Sequence, residues 1–296
     1  MKQILKAMSL ALLLPLVGAL SSCSKDTPSG ATIFPTTPVA RNTFERWLLK
    51  NYTNPYNIDF QYKLKDGETD LTYNLVPADS AKTAKLAMIT KFLWFDAYNE
   101  VVGPDFLKES APRIIVAVGS SAYTRQRTEV VGSAEGGYKV TLNKINALTD
   151  ELLHDYSAMT EYYFHTMHHE FTHILNQRKP YNPAFDLVTQ SGYVSGNWLN
   201  VSTRDAHRAG FVSPYAMMNG AEDFAEMLSF YVTYTPQAWQ AILDEAGTRG
   251  ANLINQKLTL IKEYTQSSWG LDLDQLRDVV IRRGGQVATL DLSKLK

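Results

Sequence analysis

Residues 165–178 of the chain read His-Thr-Met-His-His-Glu-Phe-Thr-His-Ile-Leu-Asn-Gln-Arg, and this stretch decides what the rest of the fold must hold in place. It contains the pattern HExxH, formed by His169, Glu170 and His173. Residues four apart lie on the same face of an α-helix, so the two imidazoles can bind one metal ion. Glu170 lies about a quarter-turn away, beside that ion rather than on it. The pattern therefore predicts a Zn²⁺ site on a helix.

The same helix carries an apolar stripe on nearly the opposite face from the histidine pair. The stripe consists of Met167, Phe171, Ile174 and Leu175. It predicts that one side of the helix is buried while the other lines a cleft. The alternatives are a chance occurrence of HExxH, or histidines that serve only as core or surface residues. His165, one turn before His169, is predicted to line the cleft without binding metal, and His168 to pack on another side.

A third metal ligand must come from further along the chain, because a catalytic zinc site usually takes three protein ligands and keeps one position for water. The segment from Tyr215 to Glu226 supplies two carboxylates, Glu222 and Glu226, which are four residues apart and share one helix face. One of them can bind the metal while the other accepts a hydrogen bond from a ligand imidazole. The alternative interpretation of this spacing is a solvated acidic face.

Strand-like segments precede the HExxH helix and helical segments follow it, which predicts an α+β fold. Alternation and β-branched residues predict strands at 56–63, 113–119, 128–131 and 138–142. Apolar periodicity and turn signals predict helices at 44–52, 79–102, 151–178, 221–233, 236–247, 250–267 and 273–284. Together these segments are expected to form one domain, residues 43–296.

The first 22 residues resemble a bacterial export signal. Lys2 and Lys6 precede an apolar stretch, residues 7–20, that is too short for a stable transmembrane helix. The stretch ends in Leu20-Ser-Ser-Cys23, which resembles a lipobox and predicts cleavage before Cys23 and lipidation of its thiol. The alternative is a free cysteine behind an ordinary signal peptide. Residues 23–42 are rich in Ser, Thr and Pro and are predicted to be a lipidated tether.

Composition excludes several classes of protein. Cys23 is the single cysteine of the chain, so an internal disulfide framework and a cysteine-rich zinc module are both excluded. The 29 basic and 30 acidic residues leave a formal charge of −1. Removal of residues 1–22 takes the charge to −3, because two lysines and no acidic residue are lost. A chain without a basic excess is not expected to bind nucleic acid.

HExxH followed by a glutamate on a second helix resembles the gluzincin metallopeptidases. The site is similar to that of the anthrax lethal factor catalytic domain, where a tyrosine also precedes the ligand glutamate by seven residues within an E-x-F-A-E segment. The lipobox, the chain length and the segments HHEFTHILNQ and EDFAE are similar to the zinc-binding metallopeptidase lipoproteins of Bacteroidetes. These are also called substrate import-associated zinc metallohydrolase lipoproteins.

The resemblance implies a zincin-like metallopeptidase domain and a role for each candidate residue. In that arrangement the Zn²⁺ ligands are His169, His173 and Glu222. Glu170 is implied to be the catalytic base, and Tyr215 to stabilise the oxyanion. Glu226 is implied to support a ligand imidazole from behind.

We therefore expect a zinc metallopeptidase, anchored in the outer membrane by lipid on Cys23, that hydrolyses a protein or glycoprotein for nutrient import. The cell surface is the expected location, and the periplasmic face is the alternative. The strand at 138–142, preceded by Gly136 and Gly137, is predicted to be an edge strand that pairs with an extended peptide. An ordinary sheet edge is the alternative for this strand.

A second hypothesis is an accessory binding lipoprotein of a TonB-dependent uptake system, with a structural or non-peptidase zinc site. Intact Glu170 and Tyr215 favour the enzyme, because a structural zinc site needs neither residue and is usually closed by a fourth protein ligand.

Overall fold

Strands lie in the first half of the domain and long helices in the second, as the sequence predicts. The structure is a computed structural model that describes residues 39–65, 67, 73–123, 129–130, 132–135 and 138–295. Asn42–Lys296 forms one compact unit. The predicted signal peptide, Cys23 and most of the tether lie outside the described residues. Within the described part of the chain, every helix is too short or too polar to cross a membrane.

A small mixed sheet forms the strand layer. The strands in the described residues are β1 Asp59–Gln61, β2 Ile114–Ala117, β3 Ala122–Tyr123, β4 Glu129–Val130, β5 Gly132–Glu135 and β6 Lys139–Leu142. Four of them form one sheet in the order β1-β2-β6-β5, while β3 and β4 form a separate antiparallel ribbon. β2 is parallel to both β1 and β6, and β5 is antiparallel to β6. The β-branched Ile114, Ile115 and Val116 suit a strand that lies between two parallel neighbours.

The pairing of β6 shows that the prediction of an edge strand at 138–142 is wrong. Val140 lies opposite Ile115 of β2 on one side and opposite Ala134 of β5 on the other. Among the described strands, β1 and β5 lie at the two edges of this sheet. Side-chain alternation along a strand reports which face is buried but not how many neighbours the strand has, so the two positions look alike in sequence. Gly136 and Gly137 lie outside the described residues.

Most of the predicted long helices are confirmed. The α-helices of the described residues are α1 Thr43–Leu48, α2 Asn54–Tyr56, α3 Ser80–Thr90, α4 Asp96–Val102, α5 Pro104–Ser110, α6 Asp150–Leu153, α7 Tyr156–Met159, α8 His165–Arg178, α9 Ala184–Val188, α10 Thr203–Ala209, α11 Gly220–Thr233, α12 Pro236–Trp269 and α13 Leu273–Gly284. A π-helical turn at Lys91–Phe95 joins α3 to α4, which makes the predicted helix at 79–102 continuous. A second such turn, Thr160–Phe164, joins α7 to α8.

One predicted helix boundary is wrong, and another is confirmed. The helix predicted at 151–178 is interrupted after α6, because the Asp155 side chain accepts hydrogen bonds from the Ser157 and Ala158 amides and begins a new helix. The separation of the helices predicted at 236–247 and 250–267 is confirmed, because α12 consists of two helical segments that meet at a kink, where Gly247 leaves the helical conformation at φ 65° and ψ 177°. Glycine adopts this positive φ at little steric cost because it has no Cβ.

The sequence did not reveal the short elements β3, β5, α5, α9 and α10. None of the helices among them exceeds seven residues, which is too short to display an apolar period.

The HExxH-bearing helix α8, called here the histidine helix, is anchored by aromatic packing on its apolar side. The ring of Phe171 makes edge contacts with Trp94, Tyr98 and Phe106, at centroid distances of 4.9, 5.3 and 5.9 Å. All four residues of the predicted apolar stripe are buried. Truncation of a buried phenylalanine typically costs about 3–5 kcal/mol, so this contact contributes substantially to holding the opposite, histidine-bearing face in place.

Candidate metal centre

The carboxylate side of the candidate site is carried by α11, called here the glutamate helix. Asn219 caps its N-terminus, where the side-chain oxygen accepts a hydrogen bond from the Glu222 amide at 3.0 Å. Gly220 follows at the first position, where a Cβ would lie 2.1 Å from Asp186 Oδ1 and would require that side chain to move. The cap and the close approach together determine where the first turn, with Glu222, begins.

The structure brings the three predicted ligands together. The Nε2 atoms of His169 and His173 lie 3.1 Å apart. Glu222 Oε2 lies 3.0 Å from His169 Nε2 and 3.2 Å from His173 Nε2. Two imidazole nitrogens and one carboxylate oxygen thus converge on one point, and the chemistry of this donor set fits Zn²⁺ with a position left for water.

Glu226 lies behind His169, on the side away from Glu222. Its Oε1 is 2.9 Å from His169 Nδ1, and its Oε2 accepts a hydrogen bond from Ser213 Oγ. When His169 Nδ1–H donates to this carboxylate, the lone pair of Nε2 is left free for a metal ion. Ser213 was not found from the sequence, because a lone loop serine carries no pattern.

The pKa values of the cluster follow from burial and from its internal hydrogen bonds. Burial acts to raise the pKa of Glu222, but hydrogen bonds from His169 and His173 outweigh it and lower the pKa to about 2. Burial likewise opposes the charge on Glu226, yet the charge and hydrogen bond of His165 and the hydrogen bond of His169 lower its pKa. Burial lowers the pKa of His169, but Glu222 and Glu226 raise it to about 10. Both carboxylates stay ionised at neutral pH, and a divalent cation can replace the protons that otherwise hold the imidazoles beside them.

Tyr215 and Glu170 lie next to the donor set. The Tyr215 ring is 5.9 Å from the His169 ring and is held by an edge contact with Trp198 at 5.0 Å. Burial, followed by the charge of Glu222, raises the pKa of Tyr215, so its hydroxyl keeps its proton and can donate it to a hydrogen bond. Glu170 is half-buried, and its charge contributes to the raised pKa of both His169 and Tyr215.

The remaining histidines take other partners. His165 Nε2 lies 2.8 Å from Glu226 Oε1, so it belongs to the hydrogen-bond network behind the ligands. His165, His169 and Glu226 could also hold an ion as a group, but these contacts are accounted for by hydrogen bonds to Glu226. His168 is buried and lies 3.0 Å from Tyr98 Oη, and burial lowers its pKa to about 3.

The mixed sheet, the packed helix pair and the convergent donors define the class: a zincin-like metallopeptidase fold. A family model described as "Putative zinc-binding metallo-peptidase" matches residues 37–274, and the chain belongs to this family.

One solved structure of similar fold comes from Bacteroides caccae, where the protein is likewise described as a "putative zinc-binding metallo-peptidase". It shares 41% sequence identity, covers 90% of this chain and 100% of its own, and superposes with a TM-score of 0.76. A search of curated proteins gave no match. The predicted resemblance to zinc metallopeptidases of Bacteroidetes is thus confirmed, whereas the likeness to the lethal factor domain stays a prediction.

Proposed function

We propose that this protein is a zinc-dependent peptidase of the gluzincin type, with His169, His173 and Glu222 as metal ligands. One observation carries the proposal: His169 Nε2, His173 Nε2 and Glu222 Oε2 lie within 3.0–3.2 Å of one another. Three protein ligands are typical of a catalytic zinc site, whereas a structural site is usually closed by four.

Each neighbouring residue then has a chemical role. Bound zinc supplies a Lewis acid that polarises the scissile carbonyl and makes water more acidic. Glu170 takes the proton of the attacking water and passes it to the leaving nitrogen. Tyr215 donates a hydrogen bond to the oxygen on which negative charge develops. Glu226 holds the His169 ring with Nε2 directed at the metal position.

We place the substrate backbone along β5, not along β6 as the sequence suggested. β5 contacts the histidine helix, and among the described strands of its sheet it pairs only with β6. We propose that an extended peptide adds a strand on the side of β5 away from β6, through main-chain hydrogen bonds.

We further propose that lipid on Cys23 anchors the enzyme to the outer membrane, facing the cell surface, where it cleaves a protein or glycoprotein for uptake. The lipobox-like Leu20-Ser-Ser-Cys23 and the tether after it support this location. A TonB-dependent uptake complex is the proposed partner. Mass spectrometry of the membrane-extracted protein should find a diacylglyceryl group on Cys23, and a Cys23→Ser variant released in soluble form would agree. An unlipidated cysteine in the mature protein would contradict the anchor.

The activity is tested by incubating the zinc-loaded mature chain with a diverse peptide library and with glycoproteins. Glu170→Gln should retain zinc, measured by elemental analysis, and lose about 10²–10⁴-fold in cleavage rate. The matched control is Glu263→Gln, an exposed residue of α12, which should cleave like the wild type. Absence of zinc-dependent cleavage, or equal cleavage by Glu170→Gln, would overturn the proposed function.

A further inference from the structure

The groove between the histidine helix and the glutamate helix extends beyond the metal donors. The contacts between them show that the two helices run antiparallel, because residues earlier in the histidine helix meet residues later in the glutamate helix. His173 contacts Glu222, His169 contacts Glu226, and His165 Nδ1 lies 3.2 Å from Ser229 Oγ one turn further on. A line of facing side chains therefore leads away from the donor set, toward the start of one helix and the end of the other.

This line opens into a pocket of about 640 Å³. His165 and Phe230, whose rings are 4.6 Å apart, form its wall nearest the metal donors. His165 is one helical turn from His169, a rise of about 6 Å, which an extended peptide covers in about two residues. A side chain close to the scissile bond of a bound peptide is therefore within reach of the pocket.

The pocket is lined by aromatic rings and by negative charge. Tyr156, Phe230 and Tyr234 contribute rings, and Glu161 contributes an exposed carboxylate. None of the described residues that line the pocket is a lysine or an arginine. Burial and then the charges of Glu226 and Glu161 raise the pKa of Tyr234, which is consistent with a negative field.

The imidazole of His165 does not cancel the negative charge of the pocket. Its Nε2 is directed at Glu226 and its Nδ1 at Ser229, so a proton on the ring is balanced by the Glu226 carboxylate behind it. The charge of Glu161 remains available to a ligand. Aromatic faces together with a carboxylate are a suitable environment for an organic cation.

We propose that this pocket is a substrate subsite that binds a cationic side chain, lysine or arginine, within about two residues of the scissile bond. The inference rests on the proposed peptidase function for its biological meaning, but the pocket itself can be tested without catalysis.

The binding test uses p-aminobenzamidine, a fluorescent aromatic amidinium, with the zinc-loaded mature chain. Saturable binding is expected, and Glu161→Gln should weaken it about fivefold to tenfold, because one charge-assisted hydrogen bond is lost. Ala238→Leu, which narrows the pocket without changing charge, should weaken it similarly. Glu263→Gln is the matched control, since Glu263 lines a separate depression beside Pro180, and it should bind like the wild type. Absence of saturable binding, or equal binding by Glu161→Gln, would overturn the proposal.

The cleavage test compares peptides that differ only in arginine, citrulline, leucine or glutamate at each position near the scissile bond. Arginine should be preferred at one position, and Glu161→Gln should reduce that preference about fivefold to tenfold while citrulline peptides keep their kcat/KM. A preference for leucine or glutamate at every position would overturn the assignment. If the probe binds as expected but no peptide is cleaved, the peptidase proposal fails and the cation pocket stands.

Discussion

Two adjacent carboxylates of the glutamate helix, Glu222 and Asp223, lie in opposite kinds of environment. Asp223 is fully buried, and Lys257 Nζ donates a hydrogen bond of 2.8 Å to each of its carboxylate oxygens. Tyr193 Oη donates a further hydrogen bond, at 3.0 Å. The Glu222 side chain is 18% exposed and faces the nitrogens of His169 and His173. One face of the helix is thus closed by a fixed cation, while the other faces groups that can exchange a proton for a metal.

The difference shows that neighbouring residues of one helix can serve different purposes: Asp223 stabilises the fold, and Glu222 faces the candidate metal site. Burial raises the pKa of Asp223 to about 6 against the opposing effect of Lys257, which still leaves the carboxylate ionised at neutral pH. The Lys257 ammonium forms an ion pair with this carboxylate, and burial lowers the pKa of the ammonium. Glu222 instead has its pKa lowered to about 2 by hydrogen bonds from imidazoles, whose protons a metal ion can replace. We therefore expect changes on the Asp223 face to affect folding, and changes on the Glu222 face to affect metal binding and catalysis.

The largest effect is expected from Lys257→Met, which leaves the Asp223 carboxylate buried without its cation. Loss of one partner from a buried ion pair typically costs about 3–5 kcal/mol, so the free energy of unfolding in urea should fall by that amount. Zinc content of the folded fraction should not change. The matched control is Lys262→Met, whose partner Asp274 is more than half exposed, and its cost should stay within about 1 kcal/mol. Equal costs for both variants would contradict the comparison.

Tyr215→Phe should lower kcat about 10²–10³-fold, because one hydrogen bond to the developing oxyanion is lost. Zinc content and unfolding free energy should remain those of the wild type. Tyr193→Phe makes the same kind of substitution on the Asp223 face, where it removes the hydrogen bond to Asp223. This variant should lose about 1 kcal/mol in stability and keep its kcat. Steady-state kinetics and urea titration of both variants measure the contrast. A normal kcat for Tyr215→Phe would contradict the role of Tyr215 in stabilising the oxyanion.

Glu226→Gln should weaken zinc binding about 10–100-fold, because the amide no longer holds His169 Nδ1–H as a charged acceptor does. Competition with a chelating dye measures the affinity. The control Glu263→Gln carries the same substitution away from the site and should bind zinc normally. An unchanged affinity in Glu226→Gln would show that this carboxylate does not support the ligand.

Asn219→Ala should have the smallest effect, a loss of about 1 kcal/mol in stability from the missing helix cap. Since the cap bonds the Glu222 amide, zinc affinity should also fall slightly. Ser202→Ala removes the equivalent cap of α10, where the serine accepts from the Asp205 amide, and should cost similar stability with no change in zinc affinity. If both variants bind zinc equally well, the first turn of the glutamate helix is positioned by packing rather than by its cap.

Much of the candidate site could be predicted from short sequence spacings. His169 and His173, like Glu222 and Glu226, are pairs separated by four residues, and helical geometry alone places the members of such pairs on one face. Ser213 and the position of β5 at the sheet edge could not be predicted in this way. They depend on contacts between segments far apart in the chain, which leave no local period.

The sequence by itself determined the chemical types and the helical phase of this protein: two imidazoles, three carboxylates and an apolar stripe to bury behind them. Only the tertiary structure decided which carboxylate meets which histidine. The antiparallel packing of the two helices sets Glu222 against His173 and His169, and Glu226 against His169 and His165. It also turned the neighbouring Asp223 toward Lys257, 34 residues away. The physical reason is that helix phase is a local property of the backbone, whereas the partner of each face depends on how whole helices pack.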